Sequence, residues 1–156
     1  MNISTKFFGD VDVDEAKIIV FQQGIVGFPD VKEFLLIHDS EADNGGGIQW
    51  LQSLDEPAFA IPVMDPLLVR PDYNPTIEDE LLKPLGEVTE ENILVLTTVT
   101  VPHAIENMSI HLMAPIIINT DTRKATQIII DDDYEVKFKI YDILKKNKEA
   151  AEKAGE

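Results

Sequence analysis

The sequence predicts a mainly β fold, a single antiparallel β-barrel-like domain with one or two short helices. Three observations predict it: short runs with strand character recur along the chain, turn-forming residues separate most of them, and only two stretches have helical character. A chain of 156 residues is the size of one domain. Such a chain buries roughly 70% of the surface that its unfolded form exposes. We therefore expect one self-sufficient domain over residues 1–144.

The predicted strands are short runs rich in β-branched, aromatic and other apolar residues. They cover residues 3–8, 17–21, 33–38, 48–54, 58–63, 93–101, 110–119, 126–130 and 134–140. Residues that tolerate turn geometry, or cap it with a side chain, lie at positions 45–47, 55–57, 121–122 and 131–133. Short strands joined by such turns are typical of an antiparallel barrel or sandwich.

The pattern within individual strands predicts which of them lie at the centre. Residues 134–140 alternate strictly, which puts Tyr134, Val136, Phe138 and Ile140 on one covered face. The isoleucine runs 116–118 and 128–130 do not alternate, so we expect both to be covered on two sides. Pro115 cannot donate to a ladder and should lie at a strand start, an edge or a bulge.

Two helices are predicted. In residues 75–82, Thr76 offers a hydroxyl cap with an acidic residue three positions later, and Pro84 should end the helix. The second helix begins near Tyr141, but its apolar stripe stops after Leu144. We therefore expect residues 145–156 to form a flexible or frayed helical tail.

Charge and composition exclude several classes of protein. The net charge of -16, from 29 acidic and 13 basic residues, makes direct binding to nucleic acid unfavourable. Acidic residues are concentrated in one segment, which could complement a basic protein surface or simply maintain solubility; they are Asp72, Glu78, Asp79, Glu80, Glu87, Glu90 and Glu91.

The remaining composition predicts a cytoplasmic protein that does not enter a membrane. No cysteine is present, which fits a reducing compartment and excludes a zinc site built on sulfur. The first residues have no signal-peptide pattern, and no apolar run approaches the roughly 18 residues that a membrane span needs.

No motif predicts catalysis, a metal or a cofactor. Asp10, Asp12 and Asp14 alternate as in a calcium loop, but Glu15 replaces the glycine and Phe21 the glutamate that such a loop requires. The three histidines are widely spaced, and His111 is interpreted as a satisfied core or interface residue. No nucleophile elbow, phosphate loop or dinucleotide fingerprint is present. We predict that the chain is not an enzyme.

The best candidate for a binding surface is a segment stiffened by proline. Prolines at 62, 66, 71 and 75 should make it irregular and exposed, so that it displays Asp65, Arg70, Asp72 and Tyr73. A stiff loop that carries a tyrosine loses little entropy on binding. An ordinary solvated loop remains the alternative.

An ordered series of short motifs resembles the FliW family of flagellar assembly factors. The motifs are Gly24-Ile25-Val26-Gly27-Phe28-Pro29, Leu51-Gln52-Ser53, Asp65-Pro66, Asp72-Tyr73 and the run from Leu112 to Asn119. The resemblance extends from about Phe8 to Tyr134. One departure is that Ser109-Ile110-His111-Leu112 stands where the family usually has Thr-x-Asn-Leu, so that His111 replaces an asparagine.

The resemblance implies a protein-binding regulator. The family binds newly made flagellin in the cytoplasm and, when free of it, binds the translational regulator CsrA and relieves repression of flagellin messenger RNA. Contact with RNA would then be indirect. The predicted protein-binding residues are Gln52, Asp65, Asp72 and Tyr73, with Gln52 chosen from the resemblance. The rival prediction is a small-molecule or cofactor-binding β-barrel, possibly an enzyme, because small barrels can enclose a ligand.

Deleting residues 147–156 should leave the fold intact, because the apolar periodicity has already ended at Leu144. Thermal melts of the full and shortened chains measure the effect. A fall of several degrees in the melting temperature would mean that the tail docks on the domain.

Overall fold

The computed structural model describes residues 2–5, 9–25, 27–37, 49–89 and 91–146. The predicted glycine turn at 45–47 and most of the predicted tail, from residue 147 onward, lie outside these ranges. Within the described part of the chain, no helix is both long enough and apolar enough to cross a membrane.

Short strands dominate the described residues. They are β1 (Asn2–Thr5), β2 (Gly9–Asp12), β3 (Ile19–Phe21), β4 (Glu33–Ile37), β5 (Gln49–Ser53), β6 (Ala60–Met64), β7 (Ile93–Thr100), β8 (Ser109–Ile110), β9 (Ile116–Asn119), β10 (Lys124–Gln127) and β11 (Phe138–Lys139). A short helix, α1, covers Asp79–Leu82, and residues 141–146 are also helical. Single 3-10 turns lie at Glu15–Lys17, Pro66–Leu68, Lys83–Leu85 and Ile105–Asn107.

Seven of these strands close into a barrel. Strands β3, β4, β5, β6 and β7 pair in chain order, β7 also pairs with β9, and β10 joins β9 back to β3. The predicted β-barrel is therefore confirmed. The pairings are antiparallel except that of β10 with β3, where Lys124 lies opposite Val20 in parallel register. These two strands are far apart in sequence, so no hairpin forces them to run in opposite directions.

Two smaller sets of strands extend the barrel. Strand β8 adds to β7, and β11 adds to β8, with Phe138 opposite Ile110. Strands β1 and β2 form a separate antiparallel hairpin, in which Ile3 lies opposite Val11. Two of the three alternating acids of the sequence thus fall on an ordinary strand, because Asp10 and Asp12 lie exposed on β2.

The centre of the fold is β9, where Ile116, Ile117 and Ile118 are all fully buried. Ile116 and Ile118 belong to the cluster that fills the barrel, which also contains Phe21, Phe34, Leu51, Val63 and Leu96. Ile117 points to the other side of the strand and packs with Leu85, Ile128 and Ile130. The prediction that this isoleucine run is covered on two sides is confirmed. Pro115 immediately precedes β9, as its missing N–H requires.

The second isoleucine run was predicted wrongly. Strand β10 ends at Gln127, and the side chain of Ile129 is 67% exposed. Ile128 and Ile130 still face inward, and their N–H groups donate to the carbonyls of Pro115 and Met113. The segment continues along the barrel without regular strand geometry. Because Ile129 is exposed, the segment is covered on one side only.

The alternating segment 134–140 is confirmed in part. Tyr134, Phe138 and Ile140 pack in a second cluster, but Val136 is 56% exposed and the regular strand is only Phe138–Lys139. Likewise, the predicted strand over 110–119 is interrupted between β8 and β9.

The predicted N-terminus of the first helix was also wrong. Helix α1 begins at Asp79, not near Thr76. Thr76 instead contacts Asp132, with its N–H 3.0 Å from Oδ1 and its hydroxyl 2.9 Å from Oδ2. A long-range carboxylate has therefore replaced the local capping interaction. The α-helix does end before Pro84, which lies in the following 3-10 turn.

The turn around Gly24 depends on glycine. Gly24 and Gly27 have φ values of +70° and +88°, and the N–H of Phe28 donates to the carbonyl of Ile25 at 2.7 Å. A Cβ added at Gly24 would lie only 2.5 Å from the carbonyl oxygen of Phe28, whereas one at Gly27 would meet nothing within 4 Å. Both glycines supply positive φ, and Gly24 also permits close backbone approach.

Gly24→Ala should therefore destabilise the fold more than Gly27→Ala. The Gly27 variant should lose about 1–2 kcal/mol from its strained φ. The Gly24 variant should lose a further 1–3 kcal/mol, roughly, because the added methyl group collides with backbone. Urea unfolding measures both. Equal losses would show that close approach at Gly24 does not matter.

Candidate protein-binding segment

The predicted binding residues Asp65, Asp72 and Tyr73 lie on one irregular segment after β6, which we call the proline segment (residues 65–75). Asp65 begins it by accepting a hydrogen bond from the N–H of Leu67 at 2.9 Å, which caps the 3-10 turn Pro66–Leu68. The N–H of Arg70 donates to Pro66, and that of Tyr73 donates to Arg70. The segment is thus ordered by its own backbone and by its prolines.

Tyr73 is buried, and its expected exposure was wrong. Its side chain is only 6% exposed and belongs to the cluster with Met64, Met108, Ile110, Leu112 and Ile140. The hydroxyl donates to the carbonyl of Leu112 at 2.6 Å, and the ring meets that of Tyr134 at a centroid distance of 4.7 Å. Tyr73 can be buried because an apolar cluster holds the ring and a carbonyl satisfies the hydroxyl.

Burial also changes the ionisation of Tyr73. It raises the pKa of the phenol well above the ordinary value of 10.0, and the nearby Tyr134 and Asp132 raise this pKa further. The neutral hydroxyl is therefore retained as a hydrogen-bond donor. Tyr73 fixes the proline segment to the domain.

Gln52 is fully buried as well, which corrects its expected exposure. Its amide nitrogen lies 2.9 Å from the carbonyl oxygen of Ser53, 3.1 Å from that of Pro57 and 3.2 Å from that of Phe59. These carbonyls belong to the end of β5 and to the loop between β5 and β6, and buried carbonyls need donors. Gln52 therefore organises that loop. Tyr73 has a different partner, because its hydroxyl bonds to the carbonyl of Leu112.

Asp72 is the most exposed of the four predicted residues, with 82% of its side chain accessible. One of its oxygens lies 3.4 Å from Nε of Arg70, whose Nη1 lies 2.7 Å from the carboxylate of Glu135. The same guanidinium stacks 4.9 Å from the ring of Tyr134. The binding roles of Asp65, Asp72, Tyr73 and Gln52 stay predictions, and Asp72 alone is widely accessible.

Several residues that hold the segment were not among the predicted site residues. Arg70, Tyr134 and Glu135 join it to the chain that leads into β11, and Asp132 bonds to Thr76 immediately after the segment. Alternation in the sequence did indicate that Tyr134 faces the core. No local signal pairs Arg70 with Glu135, because the two residues are 65 positions apart.

The buried amide of Asn119 likewise holds the acidic segment (residues 72–91) against the domain. The amide nitrogen of Asn119 donates to the carbonyls of Leu85 and Glu87, while its oxygen accepts the N–H groups of Asp121 and Thr122. One fully buried side chain thus joins the turn after β9 to the segment that precedes β7.

His111 is half-buried, and its Nδ1 accepts the N–H of Met113 at 3.3 Å. Burial lowers the pKa of the imidazole below its ordinary value. Both observations agree with a structural histidine that serves the neighbouring backbone.

Acidic and histidine side chains do not form a metal site in the part of the chain that the structure describes, where no group of three metal-ligating residues converges. Asp14, the last acid of the calcium-like run, accepts the N–H of Ala16 at 3.0 Å and caps the turn Glu15–Lys17.

Replacing Tyr73 should cost stability. Tyr73→Ala should lower the free energy of unfolding by about 3–5 kcal/mol, as for other buried aromatic residues. The matched variant Tyr73→Phe keeps the ring and should lose only about 1–2 kcal/mol, from the unpaired Leu112 carbonyl. Urea unfolding of both variants measures these losses. A Tyr73→Ala variant as stable as the wild type would contradict the structural role.

Comparison with known proteins agrees with this architecture. The profile described as FliW protein matches residues 2–140. A flagellar assembly factor FliW from Lachnospira eligens is 49% identical over 148 residues, which cover 94% of this chain and 98% of that protein. A flagellar assembly factor FliW from Lachnoclostridium phytofermentans is 46% identical over 143 residues, which cover 91% of this chain and 92% of that protein.

A solved structure gives the same result for the fold. The crystal structure of the flagellar assembly factor FliW superposes with a TM-score of 0.82 at 30% identity, and the match covers 90% of this chain and 97% of that one. The relatives' name denotes a role in assembly and not a chemical reaction. On the combined evidence of the motifs, the closed barrel and these matches, the chain belongs to the FliW family of flagellar assembly factors.

Proposed function

We propose that this protein binds flagellin in the cytoplasm and, when free of flagellin, binds CsrA and relieves its repression of flagellin synthesis. The observation that best supports the proposal is the FliW match over residues 2–140, which spans nearly the whole described chain. Export of flagellin would then release the protein to bind CsrA. Flagellin synthesis would restart when flagellin is consumed.

The charge of the chain supports a protein partner over an RNA partner. Its net charge is -16, which repels phosphate backbones and attracts basic surfaces. In the acidic segment, the described carboxylates lie on exposed residues, namely Asp72, Glu78, Asp79, Glu80, Glu87 and Glu91. CsrA is expected to carry basic surface because it binds RNA. The effect on messenger RNA would thus pass through CsrA.

The use of the polar side chains supports a binding module over an enzyme. Gln52, Tyr73 and Asn119 are buried, and each is occupied in holding a loop or segment in place. The barrel cluster of Phe21, Phe34, Leu51, Leu96 and Ile118 fills the interior with packed side chains. Binding by surfaces needs this kind of rigid support and no reaction centre.

The rival, a small-molecule or cofactor-binding barrel, has a simple test. Absorbance spectra and native mass, each compared before and after denaturation, would reveal a bound group. A cofactor present at one equivalent would contradict a pure binding module.

The direct test of the proposal is binding of the purified chain to each partner. Isothermal titration should show that flagellin and CsrA each bind, and that saturation with flagellin reduces binding of CsrA. Binding of both partners without any mutual effect would contradict release by export. Failure to bind either partner would contradict the proposal as a whole.

Association with CsrA should be faster at low ionic strength, because long-range attraction steers the acidic chain to a basic partner. The Debye length falls from roughly 30 Å at 0.01 M salt to about 8 Å at 0.15 M, so salt should reduce the rate. Stopped-flow mixing measures it. The variant with Glu78→Gln, Asp79→Asn and Glu80→Gln should show a weaker dependence on salt. If the association rate of the wild-type chain does not change with salt concentration, charge steering plays no part in the mechanism.

A further inference from the structure

The turn that contains Gly24 and Gly27 displays an aromatic side chain at the surface. Phe28 is 48% exposed, although it is one of the largest apolar side chains in the protein. Its ring meets that of Phe59 at a centroid distance of 4.8 Å, and Phe59 in turn lies 6.2 Å from the fully buried Phe34. We call the pair Phe28 and Phe59 the aromatic ledge. It is continuous with the core of the barrel.

Hydrogen bonds hold the two loops of the ledge in fixed positions. On one loop, Ile25 and Phe28 exchange backbone hydrogen bonds of 3.2 and 2.7 Å. On the other, the amide of Gln52 bonds to the carbonyls of Pro57 and Phe59. Partners that meet at such a preorganised surface lose little conformational entropy there.

The two loops are also tied to each other. The carboxylate of Asp55 accepts the N–H groups of Lys32 and Glu33, each at 2.8 Å. In addition, the N–H of Leu54 donates to the carbonyl of Glu33 at 2.8 Å. The ledge and the charged residues beside it therefore form one surface.

The negative charge of this surface favours a basic partner. Four exposed acidic residues and one exposed basic residue, Lys32, lie on the two loops or, for Glu33, at the start of β4; the acids are Asp30, Glu33, Asp55 and Glu56. An aromatic face bordered by carboxylates suits an arginine or lysine side chain, because the ring attracts the cation and the carboxylates pair with it. The apolar stem of such a side chain can pack on the same rings.

We propose that the aromatic ledge is the docking site for a basic segment of a protein partner, with a cationic side chain placed over Phe28. This inference rests on the proposed function, in which CsrA is the partner expected to be basic. The ledge is therefore assigned to CsrA and not to flagellin. Aromatic residues supported in this way are frequent hot spots of protein interfaces.

The test is titration of the full chain and its variants with purified CsrA and, separately, with purified flagellin. Phe28→Ala should weaken CsrA binding at least 10-fold and leave flagellin binding unchanged. Phe28→Leu, which keeps an apolar side chain but no ring, should give an intermediate loss. Ile129→Ala is the matched control, because Ile129 is 67% exposed on a different segment and should not affect either partner.

A charge variant separates the acids from the ring. Asp30→Asn combined with Glu56→Gln should weaken CsrA binding and reduce its salt dependence, while the melting temperature stays near that of the wild type. If Phe28→Leu and Phe28→Ala both bind CsrA with wild-type affinity, the aromatic ledge is not its docking site. An equal loss of flagellin binding would overturn the assignment of the ledge to CsrA. If the wild-type chain binds neither partner, the proposed function fails first and the ledge fails with it.

Discussion

The structure depends on the pairing of β9 with strands on both of its sides. Strand β9 bonds to β10 through three residue pairs and to β7 through four, and the second of these pairings closes the barrel. Its isoleucines, Ile116 to Ile118, fill the barrel on one side and anchor the outer cluster on the other. Closure leaves no free edge among the seven barrel strands, so a partner cannot bind by adding a strand to the barrel and would meet its loops instead.

The fold class followed from local patterns because those patterns indicate where strands, turns and buried faces lie, although they misjudged burial at Ile129 and Val136. The unbroken isoleucines of β9 predicted a central strand, and a strand start was one of the three positions predicted for Pro115. The parallel pairing of β10 with β3 had no such signal. It joins strands distant in sequence, and strand order at that distance is decided by the whole barrel.

The candidate site was harder to predict, since exposure in irregular segments is set by tertiary contacts. Tyr73 and Gln52 both looked available for binding, but the hydroxyl of Tyr73 donates to the carbonyl of Leu112 and the amide nitrogen of Gln52 bonds to carbonyls of its own hairpin. Thr76 had a good capping pattern, yet Asp132 competes for its N–H and hydroxyl. For Tyr73 and Thr76 a contact between distant segments outweighed the local preference, and periodicity carries no information on such contacts.

These findings assign different tasks to the family motifs of this chain. The Leu51-Gln52-Ser53 and Asp72-Tyr73 motifs hold loops in place, as the buried Gln52 and Tyr73 indicate. The Gly24–Pro29 motif instead combines a constrained turn with the exposed Phe28. Our account is that a rigid, acidic barrel presents this aromatic surface to a basic partner, while the proline segment supports the fold.

Nuclear magnetic resonance titration of the isotope-labelled chain with unlabelled CsrA tests that account most directly. The account predicts that the largest chemical-shift changes occur in residues 27–33 and 54–59, around the aromatic ledge, with small changes in the proline segment. Large changes confined to residues 65–75, with the ledge unaffected, would contradict it.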